Sequence, residues 1–593
     1  MSKIKRNEFL KMSTLAMFTP FSNNFLSGSL PAISQKDFLS NEELIKKMVI
    51  ANDKQVAKLL QTINPDNVNF SRRVGADFAF LSAAWCLPES TYYHNSQLVA
   101  KLEILVNVLA SFQKEDGTVN MGNLESPPDT AFLLELLAAA AYLLKKDNAA
   151  EIKNVNEGIK KFIVKSGEGL TTGGVHTPNH RWVICAALAR MNALYPNQKY
   201  LDRIEDWLGE GIYMDSDGHY PERSANYSNV ENNSLITMAR LLNKPQLFDP
   251  VRKNLEMTYF YMDPNGDLVI SDSRRQDQYT SKSIISFYLH YRYMAIKDKN
   301  PNFAGIVGLI EQMKGFEEEV LDRDLFHFLE NALLQQPLPV ATKPTDNYEK
   351  LFTTSKLLRI RRTNTTATLF GGVDWPLIIA SGRSNSPNVF LYRKGNAILK
   401  YLRLSSSFFS MGYFYSDGIK KEGNKYILYK KLEVPYYQPL PKNKRNPNGD
   451  YKLSPSIDDR FWNKMDFENR PVSNVKTLET KLTFEESNGK VNLNFAVSGL
   501  EGVNVTIELC FLEGGKLSGA TEAADGNSFL EKDMGSYEFG GDTIQFGPGA
   551  VGHKSITNLE GERYSTHFGS LRTDGKHVFI TGITPFNHTL TFN

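Results

Sequence analysis

Cysteine is scarce. Cys86, Cys185 and Cys510 are the only three in the chain and lie far apart, which excludes a disulfide framework and any paired-cysteine metal motif. The apolar text around them points to buried free thiols. An excess of either charge is also missing. Lysine plus arginine number 68 against 66 for aspartate plus glutamate, a balance that argues against a general nucleic-acid binder and leaves room for a local basic pocket. No glycine-rich phosphate loop follows a strand-like run and no Walker-type lysine is present, so nucleotide chemistry has no support. Beyond the amino terminus no run reads as long and apolar enough to span a bilayer, so no integral membrane segment is expected.

What remains is an ordinary globular composition, 41% hydrophobic and 23% charged over 593 residues. A chain of that length calls for two or three domains. Residues 1–32 read as an export signal, with Lys3, Lys5 and Arg6, then a weakly apolar run from Met12 to Phe21, then small residues around Ser27 to Ala32. The pattern resembles a twin-arginine signal in which Asn7 replaces the second arginine, and it implies export to a bacterial periplasm.

Residues 33–336 are helical text. Apolar helices are expected to begin near Asp77, Ser126, Thr177, Ser224 and Asp272, a spacing of about fifty residues that fits two helices and their turns. The bodies that follow these starts, such as Ala131 to Leu137 and Val183 to Leu188, are apolar nearly all round, whereas the intervening helices are amphipathic. A helix apolar on every side is an inner helix. Stacked hairpins of this kind form an open solenoid or a closed (α/α) toroid, here of five to six helical hairpins, and either way the inner helix starts share one rim. A proline-marked linker follows at 337–350. Residues 351–593 alternate as short strands separated by glycine, asparagine and proline, which predicts an antiparallel β-sandwich.

Two helix starts on the shared rim hold the chemistry. Thr177-Pro178-Asn179-His180 opens one helix, with Thr177 as the cap, and Ser224 caps the next, placing Tyr227 in its first turn. First turns carry unpaired N–H groups and the positive end of the helix dipole, so they suit a carboxylate ligand. Around them, Arg181, Arg223, Arg274 and Arg275 can supply cations, with Arg274-Arg275 equally able to pair with Asp272 or Asp277. His176 and His219 are further candidates for substrate contact. Trp182 and Tyr220 can stack on a flat ligand face or fill the core. Asp129 can bind a ligand or complete the capping box that Ser126 begins.

The order toroid then sandwich, with Asn179-His180 opening one inner helix and Asp217-Gly218, Glu222, Ser224 and Tyr227 opening the next, resembles the heparinase II/III and alginate-lyase group of polysaccharide lyases. In sequence the likeness is confined to 176–182 and 217–227. It implies β-elimination at a uronic acid, with Asn179 neutralising the sugar carboxylate, His180 sharing that task or acting as base, Tyr227 as acid and also as base where proton and leaving oxygen share a face, and Glu222 supporting the site. A free tyrosine ionises near about 10, so a neighbouring cation must help it. The partner implied is a uronate-containing polysaccharide or oligosaccharide, and no cofactor is required. Several members hold zinc in the sandwich, but the corresponding stretch here, Ser384 to Gly395, has no histidine, which speaks against that site. Within the group, the lyases that release L-rhamnose α-1,4-linked to D-glucuronate in arabinogalactan are the nearest in pattern. The residues also admit an inverting glycoside hydrolase using Asp129 and Glu222, or a glycan-binding protein without chemistry.

Overall fold

The computed structural model describes residues 39–372, 378–379, 382–383, 386–409, 411–458, 462–523, 528–552 and 574–593. The expected export signal at 1–32 lies outside the described residues. The described residues form two compact units: those of 39–268 with 282–344, and those of 345–593 with 269–281.

The first unit is helical: α1 (Asn41–Thr62), α2 (Arg73–Cys86), α3 (Ser96–Phe112), α4 (Pro127–Lys146), α5 (Lys153–Thr172), α6 (Pro178–Leu194), α7 (Gln198–Gly209), α8 (Ala225–Leu241), α9 (Phe248–Tyr261), α10 (Tyr288–Asp298), α11 (Pro301–Glu311) and α12 (Leu325–Glu330). Starts are set locally. Ser40 with Glu43 closes a capping box on α1, and Asn95, Ser126, Asn197, Ser224 and Asn300 each accept a first-turn N–H. The inner helices pack in succession, α2 on α4, α4 on α6 and α6 on α8. Their burial follows from composition. In α6 every residue from Trp182 to Met191 is buried, whereas the outer α7 buries only Tyr200 and Ile204.

The ring closes rather than continuing as a solenoid. α1 packs against the turn Glu317–Leu321. Asn41 at the start of α1 donates to the Gln335 carbonyl at 2.9 Å and accepts from Arg292 Nη2 at 2.6 Å. Against the expectation of no span-like segment, α4 is long and apolar enough by composition to cross a membrane. It is nevertheless an inner helix, with Asp129 and Glu135 buried along it.

The expected fifth start, at Asp272, is not a helix start. Residues 276 to 283 supply no apolar body; only a short 3-10 turn, Gln276–Tyr279, forms there, and helical structure resumes after Ser283 caps the turn Ile284–Phe287 ahead of α10. Arg274 and Arg275 therefore lie on an irregular segment that groups with the second unit.

That second unit is a sandwich. Its nine-stranded sheet includes Leu357–Arg362, Thr365–Phe370, Phe390–Lys394, Ala397–Ser406, Asn504–Phe511 and Lys576–Ile583; its eight-stranded sheet includes Lys425–Tyr437, Val472–Ser487, Lys490–Gly499, Asp542–Gly547 and Phe586–Phe592. Among the described residues strand pairing is antiparallel except for Ser528–Phe529 beside Lys576–Ile583, where the isolated bridge from Val551 to Thr581 is also parallel. Alternate residues of both sheets, among them Leu369, Leu402, Ile507, Leu482, Leu493 and Phe592, meet in one apolar core.

Candidate active site

The site is built where α6 and α8 begin. Pro178 fixes the first position of α6, and Thr177 precedes it in extended conformation. Its hydroxyl does not cap the helix as expected; it lies 3.4 Å from Asn179 Nδ2 as an acceptor. Asn179, in the first turn, has no exposed surface. Its Nδ2 donates to Glu222 Oε2 at 2.7 Å. One bond thus joins the two stretches that sequence singled out.

Glu222 is delivered by a tightly held loop. The Asp215 carboxylate accepts the backbone N–H groups of Asp217, Gly218 and His219 at 3.0, 3.0 and 2.9 Å. Gly218 has φ +101°, and a Cβ there would stand 2.8 Å from the Lys253 carbonyl oxygen, so no other residue fits. A ladder anchors the loop from below: Tyr220 Oη donates to Asn232 Oδ1 at 2.8 Å, Asn232 Nδ2 to Asn254 Oδ1 at 2.8 Å, and Asn254 Nδ2 to the Gly218 carbonyl at 3.0 Å. His219 Nε2 lies 2.8 Å from Tyr261 Oη. Arg223 takes a left-handed φ of +47°, and its Nε is 3.7 Å from Asp215 Oδ2. Ser224 then caps α8 by accepting the Tyr227 N–H at 3.2 Å. Tyr227 is half-buried in that first turn.

On the α4 side, the His180 ring stands edge-on to His176 at 5.0 Å and to Phe132 at 6.1 Å between centroids. Arg72 covers Phe132 at 4.3 Å and pairs with Asp129 at 2.5 Å; Asn123 donates to the other Asp129 oxygen at 2.8 Å. Burial pushes the Asp129 carboxyl up, but the bonds from Asn123 and Arg72 outweigh it and hold the group below its ordinary value.

The arrangement gathers Asn179, Glu222, His180 and His176 about the starts of α6 and α8, with Tyr227 in the first turn of α8. Other candidates take different places. Trp182, His219 and Tyr220 are buried, at 1%, 3% and 1% exposure, and present no open ring face. Arg181 donates to Glu210 at 2.7 Å and lies over the Trp182 ring. Arg275 is buried on the irregular segment, its N–H donating to Ser273 Oγ. Among the described residues no three of His, Cys, Asp or Glu come together as a metal-binding group.

Sequence reasoning missed two groups. Arg72 precedes α2 with no periodic signature, and only its ion pair to Asp129 reveals it. Glu231 lies one helical turn after Tyr227. It has no exposed surface, and neither carboxyl oxygen has a hydrogen-bond partner among the described residues. Its sequence neighbours Ser228, Asn229, Asn232, Asn233 and Ser234 are polar and read as an exposed turn, so no local signal marked it.

No family model matches the chain, and no curated protein matches it in sequence. Solved structures do match. Heparinase III superposes with TM-score 0.54 at 13% identity, over 87% of this chain and 75% of that one. The Streptomyces coelicolor A3 chondroitin AC lyase, solved with chondroitin sulphate, gives 0.51 at 12% identity, over 99% and 82%. Paenibacillus xanthan lyase gives 0.54 at 11% identity, over 99% of this chain but 59% of its own length. The chain has the fold of these lyases, toroid followed by sandwich.

Proposed function

We propose that this chain, sharing the fold of heparinase III, chondroitin AC lyase and xanthan lyase, is a polysaccharide lyase that cleaves a 4-linked uronic acid by β-elimination. The observation that carries the reading is the Asn179–Glu222 bond, which draws the opening turn of α6 to the loop leading into the turn that bears Tyr227. The proton on carbon 5 of a uronate is weakly acidic because the adjacent carboxylate is negative, so the site must offset that charge, remove the proton and help the 4-linked oxygen leave. Asn179, with the positive end of α6 behind it, answers the first need. Asn179 has no exposed surface, so a uronate reaches its amide only when a side chain above it gives way. Tyr227 is assigned to proton transfer at carbon 5 and at the leaving oxygen, with His180 sharing the charge or taking the proton.

Glucuronate is the sugar we assign, and the L-rhamnose-α-1,4-D-glucuronate linkage of arabinogalactan is the first to test. No cofactor enters the scheme. The basic, then apolar, start of the chain supports export to the periplasm, where such a glycan is met. Asp129 does not suit the acid of a hydrolase, since Arg72 and Asn123 keep it ionised.

The deciding experiment is a panel of uronate glycans, arabinogalactan included, followed by ultraviolet absorbance. Elimination creates a conjugated, absorbing unsaturated uronate. Release of saturated sugars alone would remove the lyase reading.

A further inference from the structure

Glu231 has no part in the scheme above, yet it lies beneath the site. It stands one helical turn beyond Tyr227, on the same face of α8. It is wholly buried, with both oxygens lacking a hydrogen-bond partner among the described residues. An ionised carboxylate in that position would be strongly penalised. The titratable groups around it are Glu222 and Tyr220 on the loop, Arg181 on α6 and Tyr227 on its own helix; from α9, Asn254 reaches α8 through Asn232. Burial, then the neighbouring Glu222, push the Glu231 carboxyl well above the ordinary range against the pull of Arg181.

Two carboxyl groups buried this close do not both ionise. Hydrogen bonds decide which one keeps the proton. Glu222 receives an N–H from Asn179; Glu231 receives none. The geometry points to Glu231 as a positioning residue, a neutral carboxylic acid beneath the first turn of α8 that leaves Glu222 as the one negative charge against the Asn179 amide. An anionic sugar then enters a site carrying one negative charge fewer. This role in substrate binding rests on the uronate reading; the protonation itself does not.

The test compares the full chain with Glu231→Gln and Glu231→Met, the second variant guarding against a local folding fault in the first. An unfolded glutamate releases its proton near about 4.3. Above that pH the folded wild type holds a proton that the unfolded chain gives up, so its stability falls as pH rises, by about tenfold in the unfolding constant per pH unit. Neither variant has this proton. The expected result is a melting temperature that falls relative to both variants between about pH 5 and pH 8; a constant difference in either variant that folds overturns the proposal. The second arm is the Michaelis constant for a uronate glycan, expected to climb more steeply on the alkaline side in wild type than in Glu231→Gln. Parallel curves overturn the substrate-binding role. The melting arm needs no turnover, so absence of unsaturated product would sink the lyase reading and leave this arm to decide the proton.

Discussion

In the later turns of α6 and α8, Arg190 and Arg240 share one carboxylate, Glu330 of α12; Arg190 reaches it at 2.7 Å, and Arg240 bonds the same oxygen. Glu135 of α4 stands 3.7 Å from Arg190 Nε and accepts from Asn233 at 2.9 Å. Arg190 Nε and Glu135 Oε1 make no hydrogen bond but belong to that ion pair; in the first two turns of the same helices the pattern differs. Asn179 Oδ1 and both Glu231 oxygens are buried with no hydrogen-bond partner among the described residues. Counter-charged groups hold a ring together. Buried polar atoms without a hydrogen-bond partner, close to helix starts, are the pattern expected where a ligand binds.

That contrast can be broken most severely at the rim. Tyr227→Phe keeps the ring and removes the hydroxyl, so we expect turnover to fall by about 10²–10⁴ while the melting temperature stays put, read by absorbance of the unsaturated product and by calorimetry. Asn179→Ala should cost about 10²–10³ in kcat by the same assay. Glu330→Ala strikes the other end. It leaves the half-buried Arg240 without this counter-charge and the buried Arg190 with only Glu135 at 3.7 Å, and should destabilise the helical unit by about 3–5 kcal/mol, seen as a lower melting temperature.

Acid sharpens the same distinction. Burial raises the Glu330 carboxyl, but Arg190 and Arg240 pull it down to about 2. Its contribution is therefore present above the ordinary carboxylate range and lost as pH falls toward about 2, on the order of 3 kcal/mol. Wild type should lose more stability than Glu330→Gln over that window in acid-unfolding curves. The smallest expected effect is Ser224→Ala, about 1 kcal/mol for the lost cap, with a modest fall in melting temperature.

Much of this was legible in the sequence because it rests on period and punctuation. Ser126 and Ser224 are caps in the structure as read, the inner bodies such as 183 to 188 are buried as their uniform apolarity demands, and the short strands expected beyond 350 form a sandwich. Asp272 misled because Asp-Ser before an arginine pair looks like a cap, while the polar run behind it has nothing to bury. The first strand, Asn347–Phe352, begins inside the stretch read as a linker, where its charged edge hides the alternation. At the site, Asn179 and Ser224 could be placed by helix-start rules and Glu222 only by the family resemblance, while the links from Arg72 to Asp129 and from Glu330 to two arginines are long-range and leave no local trace.

Glu330 also has a consequence for how the molecule is made. Arg190 and Arg240 leave the ribosome long before residue 330 does, so the growing chain carries Arg190 with only Glu135 beside it, and Arg240 without its Glu330 partner, until the helical unit is almost fully synthesised. The last short helix thus brings the carboxylate that two earlier helices share, and it arrives only after both of them have been made.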